Sequence, residues 1–390
     1  MLHSPVMADL QADPFARYRR VGTVLALLVI LFAAAELVSN ALNPTDRDFI
    51  AYWAAAKLAL AGTPAAAYDN AALHTLQAET VRFTRQAAEM PFAYPPAFLL
   101  LVLPFAALPF GAAMAAWVAA TFAPFFIAVR RLVPKAGLLA IGFPPVLVNA
   151  AIGQNGFVTA ALFLGGLGLI GSAPFMAGVL LGGLVLKPQL ALLLPVALLA
   201  GRHWRGLAGA ALSSTAIMLI GLVAFGPEAT RAWLSQLPLY GEIARNGLVG
   251  WERLASVYAA ARQAGVPEQP AFALHIAIAF AAAVAVWRIW RSDAEPLAKA
   301  SVLAAATLLA SPYLFLYDAV ILVLPLLWLA NRNAPLWVIA ALWLLPAVTI
   351  AQSFAPGGAV NLMPLLPIAL VALCSLEATG ARRRVEPTFI

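Results

Sequence analysis

Residues 21–39 read VGTVLALLVILFAAAELVS, an apolar run interrupted by a single carboxylate, Glu36. A hydrocarbon core about 30 Å thick takes roughly 20 such residues per crossing, so the run predicts a membrane-spanning helix. Arg17, Arg19 and Arg20 precede it, and a basic flank of this kind marks the cytoplasmic side. The order of basic residues, apolar run and small residues imitates a secretory leader. The run is longer than the apolar core of about 7–15 residues in a cleaved leader, which favours a retained signal-anchor.

Outward from this segment the same pattern recurs. The 390-residue chain is 63% hydrophobic and 11% charged, with a net charge of +7. Soluble chains run about 45–50% apolar and about 25% charged, so an ordinary soluble domain is excluded. Further apolar segments lie near 97–110, 111–129, 137–152, 156–172, 174–200, 206–225, 271–290, 297–311, 318–330, 335–350 and 361–377. With the first they make about twelve spans at one per apolar segment, which puts both termini on one side. Arg17, Arg19 and Arg20 at one end and Arg382, Arg383 and Arg384 at the other make that side the cytoplasm. Arg202, Arg205, Arg288, Arg291 and Arg332 then fall inside as well. Arg130, Arg131 and Lys135 do not. Either one of the proline-containing segments 97–110 and 137–152 does not cross, or these cations meet something anionic outside. The excess of Lys and Arg is thus loop charge rather than a nucleic-acid signal. The lone Cys374 excludes an intramolecular disulfide. With no internal repeat, linker or soluble domain in view, the expectation is one all-α polytopic membrane domain over 1–390.

Two polar interruptions, 40–96 and 226–270, fall on the outer face and are the expected seat of function. The first carries Asp46, Asp48, Asp69, Glu79 and Glu89. Within it a short amphipathic helix is expected over 48–61, bearing Tyr52 and Trp53, because aromatic residues on such a helix suit the membrane interface. A second helix, about 70–87, follows an Asp69 or Asn70 cap. Asp48 has two readings. It is a favoured residue type for capping the helix that starts there, and an acidic group at the surface of a polytopic protein is also a candidate for chemistry. Asp46 reads as solvated.

Lys187 lies in an apolar run beside Pro188, where a charge costs about 2.5–3.5 kcal/mol on insertion scales and normally faces a cavity or a partner. It reads either as a group at a donor phosphate or as half of a structural pair, with Asp318 as its partner. Asp318, opening a later span, is a functional candidate on the same ground. Tyr313 and Tyr317 read as interfacial anchors, Arg253 as a bidentate phosphate donor or a solvated loop residue, and His275 as a satisfied core histidine. Gln154 and Asn155 read as hydrogen-bonding ties between helices. No zinc-spaced Cys/His cluster, Gly-x-Ser-x-Gly elbow or Walker-type loop occurs.

In order along the chain stand Asp48-Phe49-x-x-Tyr52-Trp53-x-Ala55-Ala56, Gly62, Tyr68-Asp69 and Tyr94-Pro95-Pro96. Gly153-Gln154-Asn155, the glycine-rich run 178–183 leading to Leu186-Lys187-Pro188, Ser311-Pro312-Tyr313 and Tyr317-Asp318 follow. This series resembles glycosyltransferase family 87, polytopic GT-C enzymes that include polyprenyl-phosphomannose-dependent α-mannosyltransferases. The resemblance implies a GT-C fold of about twelve transmembrane helices and an inverting transfer from a polyprenyl-phosphate hexose to a lipid or lipid-linked glycan acceptor. It implies no nucleotide, no cofactor and no obligatory metal. Asp48 is carried over as the base, with Tyr52, Lys187, Arg253, Tyr317 and Asp318 as substrate-binding residues. The implied setting is a bacterial inner membrane with the site facing outward. Where family members often show Asn-Gln-Ser, this chain reads Asn246-Gly247-Leu248. A transporter or lipid flippase is the rival reading, since broken helices and a buried Lys suit one too. The rival lacks an evident repeat between the two halves of the chain. A scaffolding membrane protein is a second rival, and it would have no use for Asp48, Lys187 and Asp318 together.

Overall fold

The computed structural model describes residues 15–84, 90–248, 250–352 and 360–383. Among these residues there is no strand, only the isolated bridges Thr45–Arg82 and Leu254–Phe315. Glu89 and Arg384 lie outside the described residues.

Helix α1 (Arg19–Leu42) runs from the basic flank to the first polar segment. That segment carries α2 (Phe49–Leu60) and α3 (Asn70–Thr80), and Asp69 caps α3 by accepting from the amides of Ala71 and Ala72. After α4 (Leu99–Ala106) come α5 (Phe110–Leu132), α6 (Gly137–Ile141) and α7 (Pro144–Ile152). Next are α8 (Gly156–Leu169), α9 (Pro174–Gly182) and α10 (Leu194–Ala200). Helix α11 (Trp204–Arg245) is broken at Gly226, whose φ of 81° and ψ of 168° are not helical. The second polar segment adds α12 (Val257–Gln263), and α13 (Glu268–Arg291), α14 (Pro296–Ala310), α15 (Val323–Asn331), α16 (Leu336–Gln352) and α17 (Leu365–Arg383) follow. Among the described residues, four helical stretches, Ala16–Leu42, Phe110–Leu132, Trp204–Ile243 and Glu268–Arg291, are long and apolar enough to cross a bilayer. The chain is an all-α membrane protein.

Packing assigns each helix end to a face. The start of α1 meets α6, where Gly22 abuts Leu139 and Gly142 abuts Leu25 and Ala26. The end of α1 meets the start of α5, where Gly111 abuts Ala41. Helix α5 therefore ends on the face from which α1 begins. Arg130, Arg131 and Lys135 lie there with Arg19 and Arg20, and Gly137 packs on Arg130 itself. A crossing at every apolar segment would put these three cations on the opposite face, and the packing agrees with the alternative in which 97–110 does not cross. That packing has two parts. Segment 96–110 enters and leaves beside α2: Phe98 packs on Tyr52, and Leu108 O accepts from Trp53 Nε1 at 3.0 Å. Segment 174–200 is a hairpin rather than one helix, because its chain turns at Lys187, where the backbone is non-helical. Helices α9 and α11 accordingly run parallel, with Gly209 against Phe175, Ser213 Oγ donating to Val179 O and Ser214 Oγ to Gly182 O. Small residues along both let the backbones approach closely, as membrane helix pairs do.

The first polar segment also differs from its expectation. Helix α2 is not amphipathic. Every residue from Phe49 to Ala56 is buried, because α4, α5 and the Pro64–Tyr68 turn enclose it. Helix α3 ends at Thr80, short of 87. Asp46 is buried rather than solvated: one of its carboxylate oxygens accepts from both the amide and the hydroxyl of Thr84, tying the start of the segment to its middle.

Candidate active site

The turn Gly153-Gln154-Asn155-Gly156 is the centre of the site. Helix α7 ends at Gly153 in the left-handed region, φ 68°, a common way for a helix to stop and one that glycine adopts without penalty. The turn is wedged between two elements. A methyl group on Gly153 would stand 2.7 Å from Phe49 Cβ, and one on Gly156 would stand 2.6 Å from Tyr317 O. Two successive side chains of the turn consequently reach in opposite directions.

Gln154 reaches Asp48. Its Nε2 donates to Asp48 Oδ2 at 3.0 Å, and its Oε1 accepts from the Tyr52 hydroxyl and from the Asn155 amide at 3.2 Å. A backbone amide only donates, so Oε1 must be the atom facing Asn155 and Nε2 the atom facing Asp48. The Tyr52 hydroxyl also meets the Tyr94 hydroxyl at 3.0 Å. Tyr52 is encircled by Phe98, Tyr94, Trp117 and Phe49. Burial, then the neighbouring Tyr94, pushes its phenol well above the usual tyrosine range, so it stays a hydrogen-bond donor at physiological pH. Asp48 itself is half-buried. It occupies the N-cap position of α2 but its side chain makes no capping bond, so the capping reading does not hold.

Asn155 reaches Lys187. The ammonium lies 3.4 Å from Asn155 Oδ1 and 2.6 Å from Asp318 Oδ1, and 4.4 Å above the Tyr317 ring. Asp318 Oδ2 accepts in turn from the Phe315 amide at 3.1 Å. Lys187 and Asp318 are paired with each other, and the pair is bonded on both sides as a buried pair needs to be. Tyr317 is 5% exposed and is no interfacial anchor. It forms the floor under Lys187 and stacks on Phe315 at 5.2 Å. Tyr52 and Tyr317 each lie within electrostatic reach of both Asp48 and Asp318.

Arg253 stands at the margin. It sits in the 3₁₀ turn Trp251–Arg253, approaches Glu252 at 4.0 Å and is half-exposed. The residues after it are fixed to the site by the Leu254–Phe315 bridge and by Ala255 N donating to Leu314 O at 2.7 Å. The second polar segment is thereby joined to the strand-like run leading to Tyr317 and Asp318. His275 is not the satisfied histidine expected: it is buried, and among the described residues neither ring nitrogen has a hydrogen-bond partner. Gln154 read from sequence as a tie between helices, and the structure adds that one end of the tie is Asp48. A polar pair flanked by glycines at a helix break was the available signal.

An all-α membrane protein with a half-buried carboxylate, a buried ion pair and an aromatic wall at one end of its helices is what the fold and site define. The sequence profile of glycosyltransferase family 87 matches residues 92–312. The chain belongs to that family and is a glycosyltransferase. The matched stretch holds Gln154, Asn155, Lys187 and Arg253. Asp48 and Tyr52 precede it, and Tyr317 and Asp318 follow it. No curated protein and no solved structure matches the chain.

Proposed function

We propose that the protein moves a hexose, with mannose the first candidate, from a polyprenyl-phosphate donor to a lipid or lipid-linked glycan at the outer face of a bacterial inner membrane. The observation that carries this reading is the position of Asp48. It is a half-buried carboxylate held by Gln154 beside a wall of Tyr52, Tyr94 and Tyr317, in a chain whose family transfers sugars.

Asp48 takes the proton of the acceptor hydroxyl as that oxygen attacks the anomeric carbon from the face opposite the leaving group. The C1–O bond to the donor phosphate breaks, and the phosphate departs with its electron pair as a stable anion. Donors that neutralise the charge developing on it lower the barrier. Arg253 is assigned this work, its guanidinium being suited to paired contacts with phosphate. The Lys187–Asp318 pair holds Tyr317 and the turn at Asn155, so its contribution is to shape the donor side rather than to bind phosphate directly. Tyr52 keeps Gln154 in place. No cofactor and no obligatory metal enters this scheme.

The face assignment supports an outward site. Arg19, Arg20, Arg130, Arg131, Lys135 and Arg202 belong to one face and Asp48 to the other, as the positive-inside pattern demands. With 97–110 returning beside α2 and 174–200 folding back at Lys187, the cations after α5 and Asp48 fall on opposite faces, in keeping with this reading. The test is transfer of label from polyprenyl-phosphomannose to extracted membrane lipid by purified protein in nanodiscs. A labelled lipid product supports the reading. No product from mannose, glucose or arabinose donors, together with saturable solute flux, would replace it with the transporter.

A further inference from the structure

We propose that Gln154 is the positioning residue of Asp48, a clamped amide that aims the carboxylate and favours its charged form. This inference rests on the reading of Asp48 as base and adds to it a residue that never touches substrate.

The geometry leaves the amide one orientation. Oε1 is taken by two donors from different elements, the Tyr52 hydroxyl on α2 and the Asn155 amide in the turn. Nε2 is therefore committed to Asp48 Oδ2 at 3.0 Å. The side chain is 8% exposed, so water does not compete freely for either end. The clamp itself is fixed from behind: Asn149 O accepts from Gln154 N at 3.2 Å, Asn149 Oδ1 accepts from Gly156 N at 3.0 Å, and Gly153 is seated on Phe49 beside Asp48. A donor aimed at the ionised form of a carboxylate favours that form. A base must be ionised to act, so a donor held on Oδ2 works in the same direction as the chemistry asked of Asp48.

Among the described residues, these groups face Asp48. Tyr52 comes from α2 and Tyr94 from the run before α4. Tyr317 and Asp318 come from the turn before α15, the latter bonded to Lys187. Arg47 adjoins Asp48 in the chain and is paired with Glu36 on α1. Gln154 combines a neutral donor to Asp48 with an orientation locked from two sides.

The experiment measures sugar transfer as kcat and KM across pH for wild type, Gln154→Leu and Gln154→Glu, with Asp48→Asn alongside. Gln154→Leu loses the donor, and kcat is expected to fall about 10- to 100-fold, as for a displaced or misaimed catalytic group, with KM changed little. Gln154→Glu keeps the shape but sets a second carboxylate at hydrogen-bond distance from the first. Two carboxylates sharing a site raise the proton affinity of the pair, so the acid limb of kcat/KM should move up by more than about one pH unit. A residue serving only to tie helices would lower the yield or thermal stability of folded protein while leaving the limb of the surviving enzyme unmoved. That result overturns the proposal, and so does failure of both variants to fold. If Asp48→Asn transfers sugar normally, the underlying assignment of the base is wrong. If transfer needs Asp48 and ignores Gln154, the positioning role alone is lost.

Discussion

Lys187 Nζ stands 2.6 Å from Asp318 Oδ1, and neither side chain reaches solvent. The two residues lie 131 positions apart in the chain, so the bond fastens the α9–α10 hairpin to the turn before α15. Removing one partner from a buried pair strands the other charge and costs about 3–5 kcal/mol, whereas replacing both with apolar groups is often near neutral. Asp318→Asn should therefore unfold at a markedly lower temperature in nanodiscs, and Lys187→Met with Asp318→Leu should recover much of the loss. Equal destabilisation by the single and double variants would show that the ion pair is not what joins these elements.

Gly153→Ala tests the turn. A left-handed φ costs a non-glycine residue about 1–2 kcal/mol, and the added methyl would stand 2.7 Å from Phe49 Cβ. Both effects push the turn away from α2 and lengthen the Gln154–Asp48 bond. The expected outcome is a folded protein, by size-exclusion profile, with transfer reduced at least 10-fold. Wild-type transfer would mean that the Gly153–Phe49 contact does not govern the site.

The face assignment is checked by single cysteines at Thr63, Lys135 and Arg202 in a Cys374→Ser background, Cys374 being buried. A membrane-impermeant maleimide applied to intact spheroplasts should label position 63 alone, and positions 135 and 202 only after permeabilisation. Labelling of position 135 in intact cells would restore a crossing by 96–110.

The class of fold was legible because hydrophobicity in lipid is a strong and local signal. Long apolar runs such as 21–39 and 271–290 read directly as α1 and α13. What was not legible depended on partners distant in sequence. Nothing local shows that α2 is enclosed rather than lying on a bilayer, since Phe49 to Ala56 owe their burial to α4 and α5. Asp46 looks like any loop carboxylate until Thr84 is brought to it. The prolines of 97–110 and the misplaced cations left its crossing open, and packing decides between the alternatives; 174–200 has the composition of a span, and only its packing shows that it folds back. For the site, chemistry alone marked Lys187 and Asp318, because a charge in an apolar run demands a partner. Gln154 read only as a tie between helices, because an amide takes its meaning from the atom it faces, and Asp48 lies 106 positions away.

The most direct test of the account is the rate of hexose transfer from polyprenyl-phosphomannose by wild type and by Asp48→Asn in nanodiscs, each checked for an unchanged melting profile. Loss of general-base assistance predicts a fall of about 10²–10⁴-fold in kcat with the fold intact. Transfer by a folded Asp48→Asn at the wild-type rate would remove Asp48 from the mechanism and move the search for the base to Asp318.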